Sequence, residues 1–135
     1  MIPKFRAWDK RENTMRDVAV LHFTKGGKVN SIEYWKTPSE LKSYHVRNLI
    51  LMQSTGFKDK NGVEIYEGDI VKVTNHPFQK KEDSAGIEID GNYLINWSEH
   101  SLTWLAGDLL LYQLKPYIEV IGNSFANPEL LEVEG

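Results

Sequence analysis

The chain has 135 residues, with 16 Lys and Arg against 19 Asp and Glu, a formal net charge of −3. At roughly 150 residues per domain this predicts one domain with a single buried core. Hydrophobic residues at 41% and charged residues at 26% exclude a disordered chain, and the lack of cysteine excludes disulfides, thiolate zinc sites and a cysteine nucleophile.

The first residues, Met1-Ile2-Pro3-Lys4-Phe5-Arg6, place charges where a signal peptide needs an apolar run. No apolar run approaches the roughly 18 residues of a membrane span. A cytoplasmic protein without membrane contact is expected.

Phe5, Ala7 and Trp8 open a strand, and Asp9 to Asn13 form a polar turn. Val18 to Phe23 is a β-rich run, Gly26-Gly27 breaks it, and Val29 to Trp35 resumes it, which predicts a hairpin. Thr37-Pro38-Ser39-Glu40 has a capping residue, a first-turn proline and a capping-box glutamate, predicting a short helix to Tyr44 or His45. Asn48 to Gln53 is apolar enough for a buried strand. Asn61-Gly62 and Glu67-Gly68-Asp69 are turns around short strands, with Ile70 to Val73 a strand after them. Asp69 is placed to accept backbone hydrogen bonds where that strand starts. His76 to Ala85 reads as an exposed loop. Ile87 to Ile89 and Tyr93 to Trp97, about Asp90-Gly91-Asn92, read as a hairpin. Asp108 is a candidate cap for a short helix, and Tyr117 to Ile121 is a closing strand ended by Gly122. Asn127-Pro128 predicts a last helical turn.

Dense turns between short strands point to a small β barrel or roll. The expected organisation is a single domain over 1–135. It has an N-terminal β extension to about 48, a barrel over about 49–122 and a tail over 123–135.

Three blocks together carry a family resemblance. They are Phe5-Arg6-Ala7-Trp8-Asp9, the stretch from Leu51 to Val71 that holds Asp59, Gly62 and Gly68-Asp69, and Glu119 to Asn123 with Asn127 to Leu131. In order and spacing they resemble the YopX family, small proteins found in bacteriophages and integrated prophages. The resemblance implies a mainly β fold with an SH3-like barrel, and it brings no enzymatic activity with it.

Histidines 22, 45, 76 and 100 have no metal-ligand spacing, and Ser98 and Ser101 lack a nucleophile elbow. Asp59, Glu64, Glu67 and Asp69 gather around two turns, but without the alternating ligands of a calcium loop. No catalytic residue, metal ligand or cofactor is assigned. Lys4, Arg6, Trp8 and Arg11 form the candidate partner surface. A protein partner or a second copy of the chain is the expected ligand, since 15 aromatics are dense for a small barrel and Tyr and Trp are favoured at interfaces, although a monomer can also bury all of them. Nucleic acid is the alternative, opposed by the negative net charge.

Overall fold

The computed structural model describes residues 3–76 and 89–131. The chain divides into two compact units, Met1–Ser54 and Thr55–Gly135. The protein is mainly β, with two antiparallel sheets.

The first unit is a meander of β1 (Phe5–Asp9), β2 (Thr14–Phe23), β3 (Val29–Thr37), β4 (Glu40–His45) and the start of β5 (Leu49–Lys58). The spatial order is β4-β3-β2-β1-β5. The turn after β1 closes at Asn13, which sits at φ 49°, a conformation asparagine tolerates. Gly27 at φ 89° closes the expected hairpin between β2 and β3. Alternation along β3 sends Ile32 and Tyr34 into a core with Ala7 and Leu49, which Val18, Leu21, Tyr44 and Leu51 flank. Residues 33 and 35 point the other way.

The helix expected after Thr37 is replaced by a strand. Pro38 and Ser39 form a turn, and β4 returns along β3 with Leu41 opposite Trp35 and Tyr44 opposite Ile32. The capping atoms serve the turn instead, because the Ser39 N–H donates to Thr37 Oγ1 at 3.4 Å. A hydroxyl that caps a helix also closes a turn, so the local motif does not separate the two.

β5 continues past Ser54 into the second unit, where β6 (Glu64–Tyr66) is its neighbour. There β7 (Asp69–Val73), β8 (Gly91–Ser98), β9 (Thr103–Ala106), β10 (Leu109–Leu110) and β11 (Ile118–Asn123) form a sheet ordered β10-β9-β8-β7-β11. This sheet is open, with β10 and β11 at its ends, in place of a closed barrel. β10 has two residues before the chain coils into the single helical turn α1 (Leu111–Leu114), too few to reach a closing partner. The core under it holds Ile65, Val71, Val73, Ile95, Leu111 and Ile118.

Further expectations change here. Asp90-Gly91-Asn92 is not a turn. Gly91 starts β8 opposite Val73, and the Asp90 carboxylate accepts from the N–H groups of Asn75 and His76 at 3.3 and 3.4 Å. Residues 77–85 of the expected loop and Ile87-Glu88 of the expected hairpin lie outside the described residues, and Ile89 is not in a strand. Asp108 does not cap α1. It forms with Gly107 a two-residue hairpin between β9 and β10, and Gly107 at φ 61° takes the first position. The helix follows Leu110, whose side chain makes no cap. The last turn is a short 3-10 helix, Pro128–Leu131, at the expected place.

Gly122 lies inside β11 rather than ending it. A Cβ there would sit 2.5 Å from Asn127 Oδ1, the atom that accepts from the Asn123 N–H. Gly122→Ala therefore forces Asn127 to move and is expected to cost about 1–3 kcal/mol by overpacking. Urea denaturation of the variant checks this. An unchanged midpoint would show that Asn127 yields freely.

Candidate partner surface

The first unit gathers charge around one buried carboxylate. Asp9 ends β1 on the core face, fully buried. It accepts from the Arg11 N–H at 3.0 Å, and the guanidiniums of Arg11 and Arg16 each approach it at 3.4 Å. Arg16 also pairs with Glu12. Arg11 lies over the Tyr44 ring at 3.3 Å and Arg16 over the Tyr34 ring at 4.8 Å, both within cation–π range. Burial pushes the Asp9 carboxyl up, but the Arg11 N–H and the two guanidiniums outweigh it and hold it below its usual range.

This network absorbs part of the basic group seen in the sequence. Arg11 is engaged with Asp9 and Tyr44. Trp8 keeps only 9% of its surface exposed, so its ring is not a platform for a partner. Arg6 is half-buried, opposite Asp17 on β2 and Met52 on β5. Of the four candidates Lys4 and Arg11 are exposed, and the Lys4 carbonyl accepts from the Ser54 N–H.

The turn carboxylates of the second unit serve the backbone. Asp59 Oδ1 accepts from the N–H groups of Asn61 and Val63 at 2.8 and 2.9 Å, and Oδ2 from Val120 at 2.9 Å. Asp69 Oδ2 accepts from the Tyr66 N–H at 2.8 Å, at the start of β7 as expected. Burial pushes the Glu67 carboxyl up. Among the described residues no three His, Asp or Glu side chains are placed to hold a metal ion. His45 Nδ1 accepts from the Arg47 N–H, and the His76 ring packs edge-on against Tyr117 at 4.9 Å. Beside that ring pair lies a cavity of about 390 Å³, lined among the described residues by four apolar side chains with His76, Gln113 and Tyr117.

The outward face of β2, β3 and β4 offers different chemistry. Trp35 and Leu41 stand directly opposite each other and remain 45% and 42% exposed. Val20 is exposed beside them, opposite Glu33, and His22 Nε2 lies 3.1 Å from the Glu33 carboxylate. Asp17, Trp35, Lys36 and the Thr37-Pro38 turn line a shallow hollow. β4 is the last strand of its sheet, and five of its six residues are exposed. The expected helix hid this surface in the sequence. Its signal was the alternation of Leu41 with charged neighbours, which fits a strand as well as a short helix.

Residues 4–132 match the family described as YopX protein. The chain belongs to the YopX family. A solved structure similar to it is the crystal structure of protein EF1440 from Enterococcus faecalis. That protein is 31% identical, the match covers 98% of this chain and 99% of that one, and the TM-score is 0.68. No curated protein matches the chain. The match runs through both units, so the Asp9 network, the Asp59 turn and the β4 edge all lie within the YopX region.

Proposed function

We propose that this YopX protein is an accessory protein of a bacteriophage or prophage that works in the host cytoplasm by binding another protein chain, without catalysis. The observation that carries this reading is the exposed Trp35–Leu41 pair at the open edge of the first sheet. Large apolar side chains beside unpaired strand backbone suit capture of an extended segment. The buried turn carboxylates Asp59 and Asp69 support a non-catalytic role, because backbone N–H groups occupy them. We read the second unit as an SH3-like roll, supported by its short strands and tight turns. No helix among the described residues is long and apolar enough to cross a membrane, which fits the cytoplasmic reading.

Nucleic acid is the competing ligand. Titration with single- and double-stranded DNA and RNA at about 50 and about 200 mM salt decides between them. Protein binding predicts no appreciable nucleic-acid affinity at either salt. It also predicts capture of a protein chain, either a host partner or a second copy of this chain, that survives high salt and is lost in Trp35→Asp. Nucleic-acid binding that falls steeply with salt would overturn the reading.

A further inference from the structure

The β4 edge has a charge pattern that restricts what can pair with it. Glu40 and Lys42 flank Leu41 and point to the opposite face of the strand from it. Lys42 lies opposite the buried Tyr34 across β3. A lysine on the inner face of an edge strand discourages pairing unless the incoming strand brings a carboxylate opposite it.

β4 carries that carboxylate itself. We propose that the partner of this edge is β4 of a second copy of the chain, antiparallel, with Leu41 opposite Leu41. This rests on reading the surface as protein-binding, and it names the partner. A two-fold axis normal to the sheet keeps each face continuous, so residues opposed across the seam share parity. Pairing about Leu41 sets each Lys42 against the other copy's Glu40, giving two charge-matched pairs on one face. On the other face it joins the two Leu41 side chains, each beside its Trp35. The neighbouring registers fail. Centring on Lys42 opposes lysine to lysine, and centring on Ser43 sets Lys42 against Tyr44 and Leu41 against His45. The turn proline Pro38, with no N–H to donate, ends the pairing on one side.

The test is charge reversal read by sedimentation equilibrium. Lys42→Glu alone and Glu40→Lys alone are each expected to weaken dimerisation about tenfold or more, since both pairs become repulsive. The double variant Glu40→Lys/Lys42→Glu restores it, and mixing the two single variants yields a heterodimer. Both positions are exposed, and circular dichroism verifies that the variants fold. A second measurement uses the absence of cysteine from the chain. Leu41→Cys is expected to cross-link between copies on mild oxidation, because opposed Cβ atoms lie about 4.5–5.5 Å apart in an antiparallel pair. Leu102→Cys, at a 70% exposed site in the second unit, is expected not to. A monomer at all concentrations overturns the inference while leaving protein binding to its own capture test. A dimer indifferent to both charge reversals also overturns it.

Discussion

Asp59→Ala is expected to destabilise the second unit by about 3–5 kcal/mol, a large part of the roughly 5–15 kcal/mol that holds a domain together. The carboxylate follows β5 and is buried at 6% exposure. Its two oxygens accept from three backbone N–H groups, of which Asn61 and Val63 belong to its own turn and Val120 to β11. The same turn is closed by Gly62 N–H to Asp59 C=O at 3.0 Å, and Lys60 N–H donates to Ile118 C=O at 3.0 Å. The turn thus covers one edge of β11, and Asp59 is its clamp. Asn61 and Val63 are exposed residues, so water reaches their N–H groups in the alanine variant and recovers part of the loss. Val120 is half-buried and recovers less. Asp59→Asn keeps an acceptor for the turn but aims an amide N–H₂ at the Val120 N–H, so about half of the loss is expected. Urea denaturation gives the magnitudes. Hydrogen exchange at the Val120 amide should rise in both variants. Stability equal to wild type in Asp59→Ala would show that this carboxylate serves a ligand rather than the backbone.

The clamp shows what local sequence makes legible. Asp59, Asn61 and Gly62 lie within four positions, and their turn chemistry is written in residues that few other conformations favour. The β2–β3 hairpin is legible for the same reason, with Gly27 between two β-rich runs. The long-range bond from Asp59 to Val120 is not, because nothing local to either residue names the other. Elsewhere one set of residues suits two conformations. Thr37 closes a turn with the hydroxyl that would cap a helix. Asp90 holds Asn75 and His76 rather than turning its own chain. Gly107-Asp108 joins two strands that are four and two residues long, too short for periodicity to reveal. Of the candidate surface, charge placed Arg11 beside the N-terminal strand but not its stacking on Tyr44 of β4, which depends on how the strands of the first sheet assemble. The exposed Trp35–Leu41 pair is not legible, because the capping pattern from Thr37 to Glu40 fits a helix over its second member.

Acid should unfold the wild-type chain more steeply than Asp9→Asn. The Asp9 carboxyl lies below its usual range in the folded state despite burial, because the Arg11 N–H and the Arg11 and Arg16 guanidiniums favour the charged form. In the unfolded chain it returns to about 3.9. A carboxyl depressed by folding contributes stability that is complete above the unfolded value and disappears as pH falls through the folded one. The window is therefore from about pH 5 downward. Asparagine removes the titrating group, so the midpoint difference between wild type and variant should be constant at neutral pH and shrink on acidification. At neutral pH the variant should be less stable by about 1–3 kcal/mol, since a buried charge-assisted cluster loses its anion while two arginines keep their charge. The side chain of Arg11 is 41% exposed and that of Arg16 17%, so water compensates for part of this and the lower half of that range applies to the ion pairs themselves. Arg11→Ala should produce a smaller loss with the same pH signature, because it removes one guanidinium and its stacking on Tyr44 while Arg16 remains. Thermal melts at intervals from pH 3 to 7 read both effects. If wild type and Asp9→Asn keep the same difference throughout, the charge of Asp9 does not stabilise the fold, and the arginines around it remain available to a partner.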